Sequence, residues 1–190
     1  MIAPAERTIA ISPIGDHFES LYEPVSREIR RVMGFQPEIL PILGDSDIDF
    51  ALDEERGQRH STPILEKIAG RTPPHVLKIL AVTREDLFIP ILTHVYGEAQ
   101  LGGRAAVVST FRLAEGLSPV DGEEILQTRT AKEAVHELGH TFNLRHCRER
   151  ACVMHYCRSI GDVDKKSGDL CRYCRTLLDD EKKRLSRGAL

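Results

Sequence analysis

The eleven residues from His136 to His146, HELGHTFNLRH, restrict the fold of this chain more than any other stretch. His136 and His140 stand at i and i+4, so on a helix both imidazoles leave the same face and can reach one ion together. Glu137 follows the first of them and points beside such an ion, where a base must lie to take a proton from metal-bound water. His146 is too far past His140 to share the face of an unbroken helix, so the helix must stop and turn. Asn143 stands where that turn belongs, and after Gly it is the residue that best tolerates the left-handed conformation at a helix C-terminus. With 8 His in the chain, roughly 3% of shuffled sequences would contain H-E-x-x-H and about 0.1% the third histidine as well. The competing reading of the first pair is a solvated helix with core or surface histidines. For the isolated His17, His60, His75 and His94 that plain reading holds.

A chain of 190 residues, 41% hydrophobic and 29% charged, can bury one core of its own, in one domain with two lobes. The net charge of -3 is spread with both signs intermixed, which excludes a nucleic-acid stripe or an acidic tail. Glu6 and Arg7 interrupt any apolar start, so no secretory signal is expected and a cytoplasmic location is the default. No apolar run approaches the roughly 18 residues of a membrane span. The five cysteines, at 147, 152, 157, 171 and 174, are odd in number and crowd the last quarter. That is a poor disulfide scaffold, and in a reducing compartment metal ligation is the better use of them.

The elements follow from apolar periodicity. Thr8 to Ile14 and Glu38 to Leu43 predict buried strands, and between them Phe18, Leu21, Val25, Ile29 and Val32 place one stripe on a helix. Asp53 to Ala69 is expected to be helical, ending at Gly70, with further strands over Val76 to Val82, Thr93 to Gln100 and Arg104 to Thr110. The Gly102–Gly103 link predicts that the last two pair antiparallel. Thr130 and Glu133 have capping-box spacing, which predicts that the histidine helix starts near Thr130. A short amphipathic tail is expected over Leu170 to Leu185.

Cys147 and Cys152 form C-x4-C, and Cys171 and Cys174 form C-x2-C, two knuckles able to close a tetrahedral zinc with four thiolates and no open position. A redox pair or adventitious disulfides are the other uses of such spacing. Cys157 is left over and reads as a buried or partly exposed thiol.

The motif from His136 to Cys147, followed by Cys152, Met154, Cys171 and Cys174, resembles the archaemetzincin family, whose pattern is H-E-x-x-H-x-x-G-x-x-H with a cysteine directly after the third histidine. The likeness is close over Lys132 to Cys174. Ala105 to Leu113 (AAVVSTFRL) also looks like that family's strand before the active-site helix, and Asn143 departs from its usual glycine. The resemblance implies two zinc ions per chain: a catalytic one on His136, His140 and His146, and a structural one on Cys147, Cys152, Cys171 and Cys174. It makes Met154 the Met-turn residue under the catalytic zinc, and Tyr156 a candidate to approach the zinc or the developing oxyanion. Element order and resemblance together imply an α/β fold, a metzincin-like twisted mixed sheet packed with helices over residues 1–145, and a small zinc-clamped lobe over 146–190.

The expected activity is zinc-dependent hydrolysis of peptide or protein substrates with Glu137 as general base, the substrate lying along the Thr93 to Gln100 edge. Two other readings share these residues: a non-catalytic zinc module for folding or partner binding, and a zinc hydrolase of a non-peptide amide. A closed fourth protein ligand on the histidines would favour the module.

Overall fold

Residues branched at Cβ, or no larger than serine, predominate in the central sheet. In a computed structural model, which describes residues 8–15, 19–118 and 122–187, the chain runs β1 (Thr8–Pro13), α1 (Glu19–Met33), β2 (Pro37–Ile39), β3 (Leu52–Asp53), β4 (Gln58–His60) and α2 (Ser61–Arg71). It continues through β5 (Val76–Thr83), β6 (Leu87–Phe88), β7 (Gly97–Ala99), β8 (Ala105–Ser109), α3 (Gly122–Thr141), α4 (Ile160–Lys165) and α5 (Arg172–Arg187). The main sheet has the order β2-β1-β5-β8-β7, parallel throughout except for the antiparallel β7–β8 pair. A smaller sheet joins β3, β4 and β6.

Side chains alternate across the sheet with period two. Ile9, Ile11, Leu80, Val82, Ala106 and Val108 face α1 and α3, while Ala10, Ile79, Ala81, Ala105 and Val107 face α2. Both faces are covered, which is why these strands read as continuous apolar runs rather than as an alternation. The α1 stripe buries Leu21, Val25, Ile29 and Val32 as expected; Phe18 and His17 lie outside the described residues. The same apolar cluster takes in Val153, Met154, Leu170 and Leu178, so the C-terminal segment packs into the core of the sheet-and-helix layer.

Several boundaries differ from the sequence expectation. Residues 53–60 form a hairpin instead of the start of a helix: Gly57 has φ +62° and donates to the Asp53 carbonyl at 2.9 Å, and α2 begins only at Ser61. Without an apolar stripe in that stretch, turn chemistry decides. The strand after Glu38 stops at Ile39, and it is an edge strand with Ile39 exposed; Pro41 follows and cannot donate to a ladder. Of Thr93 to Gln100 only Gly97–Ala99 joins the sheet, as its antiparallel edge. The histidine helix starts at Gly122 rather than near Thr130, because its first turns (Glu123, Glu124, Gln127) are polar and carry no stripe. Thr130 and Glu133 are therefore buried helix-interior residues and form no capping box. No helix among the described residues is long and apolar enough to cross a membrane.

Candidate metal centre and catalytic cleft

The last turn of α3 decides where the third histidine goes. Asn143 has φ 64°, the one non-glycine residue with positive φ among those described. Leu144 N–H donates to the Gly139 carbonyl at 3.0 Å and Asn143 N–H to the His140 carbonyl at 2.9 Å, the paired bonds of a Schellman ending. Further carbonyls of this turn are also satisfied. Phe142 N–H donates to Leu138, Gly102 N–H gives a second bond to His140 at 2.9 Å, and the Lys78 ammonium from β5 reaches Thr141 at 2.6 Å. Lys78 is buried, which pulls its pKa down to about 8. With the carbonyls from Leu138 to Thr141 held, the chain reverses and delivers His146 beside the helix it has just left.

Carbonyls orient two of the rings. His136 Nδ1 lies 2.7 Å from the Val153 carbonyl, and His140 Nδ1 lies 2.7 Å from the Leu144 carbonyl; a carbonyl only accepts, so each Nδ1 carries the proton and each Nε2 presents a lone pair. The two Nε2 atoms are 3.2 Å apart. Tetrahedral ligation with Zn–N near 2.0–2.1 Å requires a separation of about 3.3 Å, so the pair fits a zinc ion. The His146 ring centroid lies 5.3 Å from that of His136 and 4.9 Å from that of His140, and the three side chains together form a ligand-spaced group. Burial lowers the pKa of all three, that of His140 to about 4, so neutral imidazoles face one another at pH 7.

Glu137 sits in this cleft, 5% exposed, and burial together with the Glu133 carboxylate raises its pKa well above the usual range. Two glycines make room around it. A Cβ on Gly97 of the edge strand would lie 2.6 Å from Glu137 Cγ and 2.6 Å from the Val107 carbonyl. A Cβ on Gly139 would lie 2.5 Å from Met154 Sδ, so Met154 packs directly against the helix between the two histidines, fully buried. Tyr156 is half exposed, its ring 5.0 Å from that of His146. The three histidines, Glu137 and Tyr156 line a cleft of about 720 Å³ whose far wall is the 92–99 segment, including His94, which the sequence had marked as ordinary.

The four cysteines converge as the spacing implied. Cys147, Cys152, Cys171 and Cys174 form a second ligand-spaced group, and Cys147 Sγ and Cys171 Sγ are 3.8 Å apart. That is far beyond a disulfide bond and matches the edge of about 3.8 Å expected for thiolates around zinc at 2.3 Å. Backbone N–H groups of Glu149, Cys171 and Cys174 point at these sulfurs. Cys157 stands apart, half-buried, its thiol held up to about 11 by burial.

Three contributors escaped the sequence reading. Lys78 caps α3. Glu133 and Lys166 form an ion pair of 2.7 Å with side chains only 4% and 1% exposed. A lysine in a strand or a polar loop carries no signal of burial, so only the fold could reveal these roles.

The profile of Peptidase family M54 matches residues 52–180, a span that includes both ligand groups. The chain belongs to this family. Archaemetzincin of Methanocaldococcus jannaschii is 37% identical to it over 175 residues, 90% of this chain and 93% of that protein. Archaemetzincin of Methanopyrus kandleri is 41% identical over 136 residues, 72% of this chain and 74% of that protein. Among solved structures, the crystal structure of the Methanopyrus kandleri archaemetzincin aligns with a TM-score of 0.81 at 31% identity, covering 97% of this chain and all 100% of that one. The Archaeoglobus fulgidus archaemetzincin, solved with malonate, aligns at 0.75 and 34%, covering 90% of this chain and 99% of that one. As a member of family M54 the chain is a zinc metallopeptidase, and its α/β fold is that of the archaemetzincins.

Proposed function

We propose that this metallopeptidase cleaves peptide bonds in the cleft between β7 and α3, with His136, His140 and His146 holding a catalytic zinc and Glu137 as general base. Cys147, Cys152, Cys171 and Cys174 hold a second, structural zinc, making two ions per chain. The observation that carries this reading is the contrast between the groups: the cysteines bring four ligands, which close a tetrahedron, whereas the histidines bring three beside a buried carboxyl.

Zinc in the three-histidine group supplies a Lewis acid, which acidifies water and polarises a carbonyl. Glu137 accepts the proton of the attacking water and returns it to the leaving amine, a role that its place in the cleft beside the three histidines supports. The outer edge of β7 pairs with the main chain of an extended substrate, and Gly97 keeps that strand close enough to Glu137 for the scissile bond to reach it. Tyr156, beside His146, donates its hydroxyl to the oxyanion, and Met154 is the apolar floor of the metal site. Of the described residues, those up to 145 form the sheet-and-helix lobe and those from 146 the cysteine-clamped lobe packed into the same core. Four unbridged thiols suit a reducing compartment, and we place the protein in the cytoplasm.

The decisive test joins metal analysis to a peptide-library digest. The parent should carry two zinc ions, His140→Ala and Cys171→Ala one each, and Glu137→Ala two with cleavage reduced by at least about 100-fold. Cleavage at the parental rate by Glu137→Ala would exclude the mechanism. A parent that binds both ions and cleaves nothing would leave the non-catalytic module.

A further inference from the structure

Glu133 lies one helical turn before His136 on α3, and its buried carboxylate is met by Lys166, the residue that caps the C-terminus of α4. Removing two charges from water costs several kcal/mol each, and such a pair generally stabilises a fold no more than apolar side chains of the same volume. What distinguishes this one is its position. Lys166 Nζ also lies 3.5 Å from His136 Nδ1, the nitrogen that donates to the Val153 carbonyl. Segments 151–153 and 167–169 are tied together: Val153 N–H donates to Asp169, Ser167 N–H to Ala151, and the Ser167 hydroxyl to Ala151 at 2.6 Å. The carbonyl that orients the His136 ring and the ammonium anchored on Glu133 therefore belong to one small unit, which ends at Cys152 and Cys171 of the second metal group. Among the described residues, Val153 and Lys166, both of this unit, are the polar neighbours of His136 Nδ1.

We propose that the Glu133–Lys166 pair is a positioning device: it pins the 151–153/166–171 unit against α3, so that the Val153 carbonyl holds His136 Nε2 on the metal. Lys166 is thus a positioning residue for a ligand, acting through Val153. The inference rests on His136 being a zinc ligand, the reading given above, and it links the order of the cysteine site to the affinity of the histidine site.

The test reads metal binding rather than cleavage. In Glu133→Leu/Lys166→Met the pair becomes two apolar side chains of similar size, and the denaturation midpoint of the chelator-treated variant should stay near that of the chelator-treated parent. Affinity for zinc at the histidine site, measured by chelator competition, should fall about 10- to 100-fold, as when partners that orient metal-bound histidines are lost. In the cobalt-substituted protein the d–d bands of the histidine site should shift while the thiolate charge-transfer band stays unchanged. Parental zinc affinity in the folded double variant overturns the proposal. If that variant does not fold, Lys166→Met alone serves, since the orphaned Glu133 can neutralise itself by taking a proton; parental affinity there overturns it equally. His136→Ala keeps the two readings apart: if it leaves zinc affinity intact, His136 is no ligand and the reading beneath the proposal fails, whatever the lysine variants do.

Discussion

Replacing Asn143 tests whether the Schellman ending of α3 sets the position of His146. At φ 64° a residue with a Cβ meets the steric cost of the left-handed region, roughly 1–2 kcal/mol, which glycine escapes and asparagine partly escapes. Asn143→Ala should therefore lower stability by about 1 kcal/mol, which in a domain of this size shifts Tm down by about 2–4 °C. Asn143→Gly should stay within about 0.5 kcal/mol of the parent, its freedom at positive φ offset by greater unfolded-state entropy. Because the turn delivers His146, whatever part of that 1 kcal/mol is felt by the metal-binding conformation appears as weaker zinc binding, up to about fivefold. Thermal unfolding with and without zinc, with chelator competition on the three proteins, gives both numbers. The reasoning fails if Asn143→Gly loses as much as Asn143→Ala, or if Ala matches Asn, because either result would remove the left-handed turn as the controlling element.

Gly97→Ala places a methyl 2.6 Å from both Glu137 Cγ and the Val107 carbonyl; since the carbonyl cannot yield, cleavage should fall at least about tenfold and stability by about 1–3 kcal/mol, measured by kcat and denaturant midpoint. Gly139→Ala collides with Met154 Sδ at 2.5 Å, with a loss of similar size, and adding Met154→Val should recover much of it; a double variant no better than the single would remove that contact as the cause. In the metal-free protein, burial holds the His140 pKa at about 4 against 6.5 for the exposed ring, so the folded state binds fewer protons than the unfolded between those values. Its contribution, roughly 3 kcal/mol, is fully present above pH 6.5 and lost as pH falls towards 4. Denaturation of chelator-treated protein across that window should show the slope, and His140→Gln should reduce it, leaving the part carried by His136 and His146.

The order of strands and helices, the histidine and cysteine groups and the need for a bend at Asn143 were all legible along the chain. They rest on local rules: period two or 3.6 in apolar residues, ligand spacing on one helical turn, and the tolerance of Asn for positive φ. Expectations failed where the local signal was weak. The polar first turns of α3 hid its start, and the stripeless 53–60 segment read as helix although Gly57 turns it into a hairpin. Thr130 and Glu133 matched a capping pattern that the surrounding helix overrode.

Only the tertiary structure decided which groups hold the histidines, their helix and Glu137 in place. Val153 orients His136, Lys78 closes the end of α3, Gly97 admits Glu137 beneath the edge strand, and Lys166 reaches Glu133 from a loop distant in sequence. A side chain's spacing along a helix is set by the backbone it sits on. Its partners are set by which distant segments the shared core brings within a few ångströms, and no pattern in one stretch of residues carries that information.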